Sequence, residues 1–310
     1  MLLLVQYTLV FASVLTLVAL GGCFSEHSGV INLGLEGIMV MGALGGALMM
    51  KFFGSGWYTV PLTLIGAIGV GVLYSVLLAV ACINLKADQT IVGTALNILG
   101  TALATVLVKS INMAEDASNV SSTISYNTEK AHFVRYFGTF QFNWFMVIAV
   151  IMLIIAYVVL YKTKFGLRLM ACGEHPQAAA SVGIDVFKMR WAGVLISGIY
   201  GGLGGICYIM AGVSEWKFEN GVAGFGFLAL AVMIFGQWKP IRIALAALLF
   251  GFFRALGNVY IGIDFLYNLN IPSTVYNMMP YIISLLVLAL TSRNSRAPKA
   301  EGIPYDKGQR

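Results

Sequence analysis

Two sets of polar side chains lie where hydrocarbon is expected, and their types limit the chemistry available to them. Asn32 and Glu36 sit four residues apart in Gly29-Val30-Ile31-Asn32-Leu33-Gly34-Leu35-Glu36-Gly37, which places them on one face of a helix. Thr90, Thr94 and Asn97 follow one another at steps of four and three in a second apolar stretch, again along one stripe. A charged side chain at the centre of a bilayer costs from about 2.5 kcal/mol upward, so Glu36 must face a cavity, a partner group or the protein interior. Gly29, Gly34 and Gly37 make its helix easy to unwind, which would free carbonyls toward a polar path. Two readings stay open. The five residues line or brace a conduit for an uncharged, hydroxyl-rich solute, or they staple neighbouring helices through hydrogen bonds of about 0.6 kcal/mol each.

Neither set is a catalytic constellation. The chain has no GxxxxGK[ST] phosphate loop, so it does not hold ATP by that route. It has no HExxH, no nucleophile elbow and no metal-spaced His/Cys set. His27, His132 and His175 fall in different connectors. The expectation is a chain without enzymatic activity, metal or resident cofactor.

A third stretch is the most specific: Lys164-Phe165-Gly166-Leu167-Arg168-Leu169-Met170-Ala171-Cys172-Gly173-Glu174-His175-Pro176-Gln177-Ala178-Ala179-Ala180-Ser181-Val182-Gly183-Ile184. Pro176 reads as the first helical residue and Gly183 as the stop beyond the end. Between them lie about two turns of Ala and Ser, on the order of 10 Å. A small-residue helix on a charged connector invites close docking by a partner. The alternative, a short helix lying on lipid, lacks the large apolar side chains that such helices use.

The elements that must carry these residues are membrane helices. The chain is 59% hydrophobic and 10% charged with a mean hydropathy of +0.86, and its apolar runs are near the length of a bilayer core. The predicted fold is all-α and polytopic, with about nine spans (eight to ten) near 2–22, 31–50, 58–84, 89–111, 142–161, 191–213, 222–236, 241–257 and 275–292. The second is Gly-interrupted, and 58–84 is long enough to hide a kink. Thirteen of the nineteen basic residues fall in the connectors and tail of one face: Lys86, Lys162, Lys164, Arg168, Lys188, Arg190, Lys239, Arg242, Arg293, Arg296, Lys299, Lys307 and Arg310. The positive-inside rule makes that face cytoplasmic, with the C-terminus inside and the N-terminus outside. The charge of +6 therefore serves anionic lipid; nucleic acid is not an expected partner, because no basic stripe carries interleaved aromatics.

A permease domain over 1–292 and an extended tail over 293–310 complete the division. The outer connector 113–141 is the longest. Each half of the chain pairs a Gly-rich helix with an interrupted one (Thr8–Gly22 with Ser28–Gly46, Trp191–Gly212 with Asn220–Gly236), a pointer to a translocation path. Gly42/Gly46, Gly198/Gly202 and Gly201/Gly205 predict close helix packing. Arg254 reads as snorkelling to an interface, Trp57, Tyr58, Trp144, Trp191 and Trp238 as an aromatic belt, and the four cysteines as free thiols.

The glycine-flanked Asn32–Gly37 run resembles the early signature of bacterial ABC importer permeases of the ribose, galactoside and branched-chain amino-acid superfamily. Gly173-Glu174-His175-Pro176-Gln177-Ala178-Ala179-Ala180 with Gly183-Ile184 is similar to that superfamily's cytoplasmic loop, and Gly198 to Gly205 to the helix after it. Ala87-Asp88-Gln89-Thr90-Ile91-Val92-Gly93-Thr94-Ala95-Leu96-Asn97, together with Ser295-Arg296-Ala297-Pro298 and Gly302-Ile303-Pro304-Tyr305, brings the chain nearest to nucleoside permeases paired with basic-membrane-lipoprotein binding proteins. The resemblance implies a second, related permease, cytoplasmic ABC ATPase domains that bind ATP with Mg, and an extracytoplasmic substrate-binding lipoprotein. It makes Glu174 to Gly183, with His175, Pro176, Ala178 and Ala179, a coupling helix seated in an ATPase groove. Ribose- or galactose-type sugars and branched-chain amino acids remain alternative solutes. A proton-coupled transporter using Glu36 and a non-transporting scaffold are the rivals from other classes; neither needs the Pro176–Gly183 helix.

Overall fold

In hydrocarbon a backbone has no water to satisfy its polar groups, so each apolar run closes its hydrogen bonds within one helix. The computed structural model describes residues 2–53, 56–125, 134–137, 140–210, 215–262, 272–291 and 297–308. Its helices are α1 (Leu2–His27), α2 (Leu35–Phe53), α3 (Thr59–Ala79, prolonged by a π-turn at Val80–Asn84), α4 (Gln89–Glu115), α5 (Trp144–Lys162), α6 (Lys164–Glu174), α7 (Pro176–Ser181), α8 (Val186–Ile209), α9 (Phe225–Phe235), α10 (Pro240–Val259) and α11 (Ser273–Thr291). Among the described residues seven of these, α1 to α5, α8 and α10, are long and apolar enough to cross a bilayer. That is fewer than the nine spans expected. The segment at 222–236 is one reason: α9 has 11 residues and is roughly 16 Å long, about half a bilayer core. Within 58–84 the α-helical repeat gives way at Val80–Asn84 to the π-turn.

The chain breaks before α2 and again before α9. Gly29 has φ 92°, and Gly221, Ala223 and Gly224 have φ 56°, 52° and 78°. These left-handed residues turn the chain where a continuous helix would otherwise run. The packing around the two breaks is related. Gly21 meets Tyr200, Gly204 meets Val18 and Gly193 meets Ser28, so α1 and α8 are antiparallel. Helix α3 meets α8 at Gly71 and Gly202, as α10 meets α1 at Gly251 and Ala12. Helix α2 runs parallel to α8, and α9, which meets α1 at Phe11 through Phe225 and at Gly22 through Met233, runs parallel to α1. The pairing of α1, α2 and α3 with α8, α9 and α10 is that of an inverted repeat.

The small-residue pairs do what their spacing predicts. A Cβ on Gly42 would collide with the Cα of Gly202, and one on Gly205 with the Met39 carbonyl. Backbones of α2 and α8 therefore touch directly.

One end carries short strands that the all-α expectation passed over: β1 (Thr123–Ser125), β2 (Val134–Phe137), β3 (Phe140–Asn143) and β4 (Glu215–Lys217), pairing antiparallel as β1 with β4 and β2 with β3. Their length of three or four residues leaves no alternation to read. Asn112 pins this end by donating to the carbonyls of Ser121 and Thr123 at 2.9 Å each. Lys51 bridges to Glu115 at 2.8 Å and Lys109 to Glu219 at 2.9 Å.

The other end is sealed by the tail. Residues 297–308 are docked rather than extended: Arg190 donates to the Ile303 carbonyl at 2.9 Å, Ala300 N–H to Gly173 at 2.8 Å and Gly302 N–H to Gly29 at 3.3 Å. Burial pushes the Glu301 carboxyl up, and it shares a hydrogen bond with Glu26. Trp238, expected in the aromatic belt, is instead buried here, donating Nε1–H to Glu26 Oε2 at 2.6 Å. All four cysteines are free.

Candidate functional site at the helix breaks

A helix that starts inside the membrane exposes up to four N–H groups with no partner in their own helix. At both breaks those groups are met by side chains from elsewhere in the chain. For α2, Asn97 on α4 accepts the Gly37 N–H at 2.8 Å through Oδ1 and donates Nδ2 to the Leu33 carbonyl at 2.8 Å. Gln89 accepts the Ile31 N–H at 2.7 Å. For α9, the cap is Glu36: Oε1 accepts from Gly224 N–H at 2.7 Å and Oε2 from Gly226 N–H at 2.6 Å. A carboxylate against a helix N-terminus is favoured by the dipole as well as by the hydrogen bonds. The two broken helices therefore meet N-terminus to N-terminus, with the first turn of α2 supplying the cap of α9.

Asn32 closes the same junction, donating Nδ2 to Ser197 Oγ at 2.7 Å. Ser197 and Gly201, the neighbours of Asn32 and Ile38, lie at the middle of the 24-residue α8, so the junction is at mid-depth. Asn32 Oδ1 is fully buried and has no hydrogen-bond partner among the described residues. It is an acceptor in want of a donor.

Of the five pathway candidates, three are thus brought together and two are not. Thr90 and Thr94 sit on the exposed outer face of α4, and the Thr94 hydroxyl donates back to the Thr90 and Ile91 carbonyls at 2.9 and 3.0 Å. Thr101 and Thr105 extend that stripe half-buried, also bonded to their own helix. The contrast is α5, whose outward side chains Val150, Ile151, Ile154, Ile155 and Val158 are pure hydrocarbon.

Helix α7 forms where expected. Pro176 is its first residue, and Gly183 at φ 84° ends it. The Ile184 and Gly183 N–H groups return to the Ala179 and Ala180 carbonyls at 3.1 and 3.0 Å, the pairing of a Schellman stop. The faces divide the candidates. Glu174, His175, Ala178, Val182 and Gly183 are exposed, whereas Pro176 and Ala179 face inward. Ala179 packs with Cys172, Val186 and Tyr305, and burial pushes the Cys172 thiol up to about 11.

The sequence profile described as "Branched-chain amino acid transport system / permease component" matches residues 4–290. The chain belongs to that permease family. It is 40% identical to the guanosine ABC transporter permease protein NupQ of Bacillus subtilis, over 99% of this chain and 97% of that one. It is 39% identical to the nucleoside ABC transporter permease protein NupC of Lactococcus lactis, over 99% and 97%. Similarity extends at 24% to a second Bacillus subtilis chain, the guanosine ABC transporter permease protein NupP, over 85% and 75%. No solved structure matches.

The permease has functional neighbours that sequence reading missed. Arg254 does not snorkel away. Its guanidinium lies 5.5 Å from the ring of Phe225, the first residue of α9, and 5.9 Å from that of Phe11, and it hydrogen-bonds Tyr208. Tyr281 on α11 donates to the Ala223 carbonyl at 3.2 Å, just before α9. A cation surrounded by aromatic faces beside a carboxylate-capped helix was legible only as one Arg inside an apolar run. No local pattern ties it to Glu36, which lies far away in sequence.

Proposed function

We propose that this permease is the membrane-spanning subunit of an ATP-driven importer that carries nucleosides into the cytoplasm. The observation that carries the reading is α7: a six-residue helix opened by Pro176 and stopped by Gly183, one face seated on the chain and the other, with Glu174, His175, Ala178 and Val182, left open. Cytoplasmic ABC ATPase domains dock there, binding ATP with Mg, and their closure tilts α7. The inner rim is the basic one, so α7 and the C-terminus are cytoplasmic and the N-terminus is outside. The names of the two relatives near 40% identity support nucleosides as the solute.

The path runs along the hydroxyl-bearing face of α4, between this permease and a second, related one. The existence of two distinct guanosine permeases in one organism, both similar to this chain, supports such a pair. Tight capture of the solute belongs to an extracytoplasmic binding lipoprotein, and the path itself binds weakly. In alternating access the α2–α9 junction is the pivot: Glu36 and Asn97 hold the broken ends together while the surrounding helices rock.

The test is uptake of labelled guanosine by proteoliposomes holding the permease with its co-purified partners. Uptake that requires ATP and survives an uncoupler is expected. Uptake that collapses with the uncoupler while ATP stays high would establish the proton-coupled alternative instead.

A further inference from the structure

We propose that the permease carries a built site for an anionic phospholipid in the seam between α5 and α10, at the end of the molecule that bears α7. The seam has a polar head and an apolar tail. Its head is a cavity of about 430 Å³ lined by Tyr157, Tyr161, Lys239, Pro240, Ile241 and Arg242. Lys239 and Arg242 are exposed, and no carboxylate among the described residues lies within ion-pairing distance of either. Arg242 is held at the mouth by its hydrogen bond to Gln237 Oε1 at 2.6 Å. The Tyr157 and Tyr161 rings stand 5.4 Å apart and offer two hydroxyls. Helix α10 also begins here, with no side-chain cap on its first turn, so free N–H groups and the positive end of its dipole lie at the same mouth.

One turn further along the same two helices the seam becomes a groove of about 230 Å³, walled by Met146 and Leu153 of α5 and by Ala244 and Leu248 of α10, and floored by Ala12 and Ser13 of α1. From Tyr157 to Met146 is eleven residues of α5, roughly 17 Å. One leaflet of hydrocarbon is about 15 Å deep, half of a core of about 30 Å. An occupant must therefore be anionic at one end and apolar over one leaflet at the other. A free phosphate fills only the head, and a peptide would leave backbone groups unpaired against the hydrocarbon walls. A phospholipid with a net negative headgroup fits both parts, and basic pockets between helices on the cytoplasmic side are suited to such heads.

The experiment is native mass spectrometry of the full permease, released from vesicles of equimolar phosphatidylglycerol and phosphatidylcholine. Phosphatidylglycerol is retained preferentially by the unaltered chain. Lys239→Gln with Arg242→Gln lowers that retention about fivefold per cation, on the order of twenty-fivefold together. Lys162→Gln with Lys164→Gln removes the same charge from the rim outside the cavity and leaves retention within about twofold. Ala244→Trp, which fills the groove and alters no charge, reduces retention of both lipids. Equal retention of the two lipids, or equal loss in the two double variants, overturns the site. So does a photocrosslinker at position 241 that captures a protein chain instead of lipid in the assembled complex.

Discussion

Replacing Glu36 by Gln tests whether this carboxylate acts as the cap of α9. In the native chain its two oxygens each accept a backbone N–H, from Gly224 at 2.7 Å and Gly226 at 2.6 Å. Hydrogen bonds to a charged group contribute about 1.5–3 kcal/mol each. Glutamine keeps one accepting oxygen but turns an NH2 toward the other N–H, and it removes the negative charge from the helix N-terminus, an effect of about 0.3–1 kcal/mol or more where partly buried. The junction should lose about 3 kcal/mol, which corresponds to roughly two orders of magnitude in local opening. Hydrogen exchange read by mass spectrometry on peptides covering 218–230 measures this directly. Protection there should fall about a hundredfold, while peptides from the middle of α3 keep theirs. Glu36→Ala, which orphans both N–H groups, should fall further. If exchange at 218–230 is unchanged in Glu36→Gln while uptake is lost, the carboxylate meets the solute itself and the capping argument is wrong.

Gly205→Ala forces a Cβ onto the Met39 carbonyl, so α2 must move off α8 at a cost of about 1–3 kcal/mol; a lowered thermal midpoint of the detergent-solubilised chain checks it, and unchanged stability refutes the contact. Ala178→Arg, on the open face of α7, should abolish ATP-driven uptake with membrane insertion intact, whereas Ala179→Arg should disturb the contact with Tyr305 and loosen the tail, seen as protease cleavage near 297–308. On the strand-bearing end, the contacts from Lys109 at 2.9 Å and Lys217 at 3.0 Å hold the Glu219 carboxyl down to about 2, from an ordinary value of 4.5. A depressed carboxylate stabilises above its ordinary value and loses that contribution as pH falls toward 2. Protection of the β1–β4 ladder, corrected for intrinsic exchange, should therefore hold above pH 4.5 and fall below it, with Lys217→Gln moving the loss to higher pH.

Much of this permease was legible in one dimension because its constraints are local. Apolar runs had to become helices, since hydrocarbon leaves the backbone no other partner. Pro176 and Gly183 delimit α7 by the φ angles they allow. Gly42 and Gly205 mark helix contact because only a missing side chain permits it. What could not be read is what depends on separation in sequence. Asn97 caps a helix 60 residues before it, and Glu36 caps one 188 residues after it; nothing near either residue announces the partner. The tail at 297–308 carries no helical period, yet Arg190 and Gly173 bind its backbone. Arg254 and Trp238 were assigned to membrane interfaces by type alone, while packing places one beside the α9 cap and buries the other against Glu26. Patterning along the chain decides which segments enter the membrane. Which buried polar group answers which orphan N–H is decided only when the helices pack, because that pairing is a property of distances across the fold.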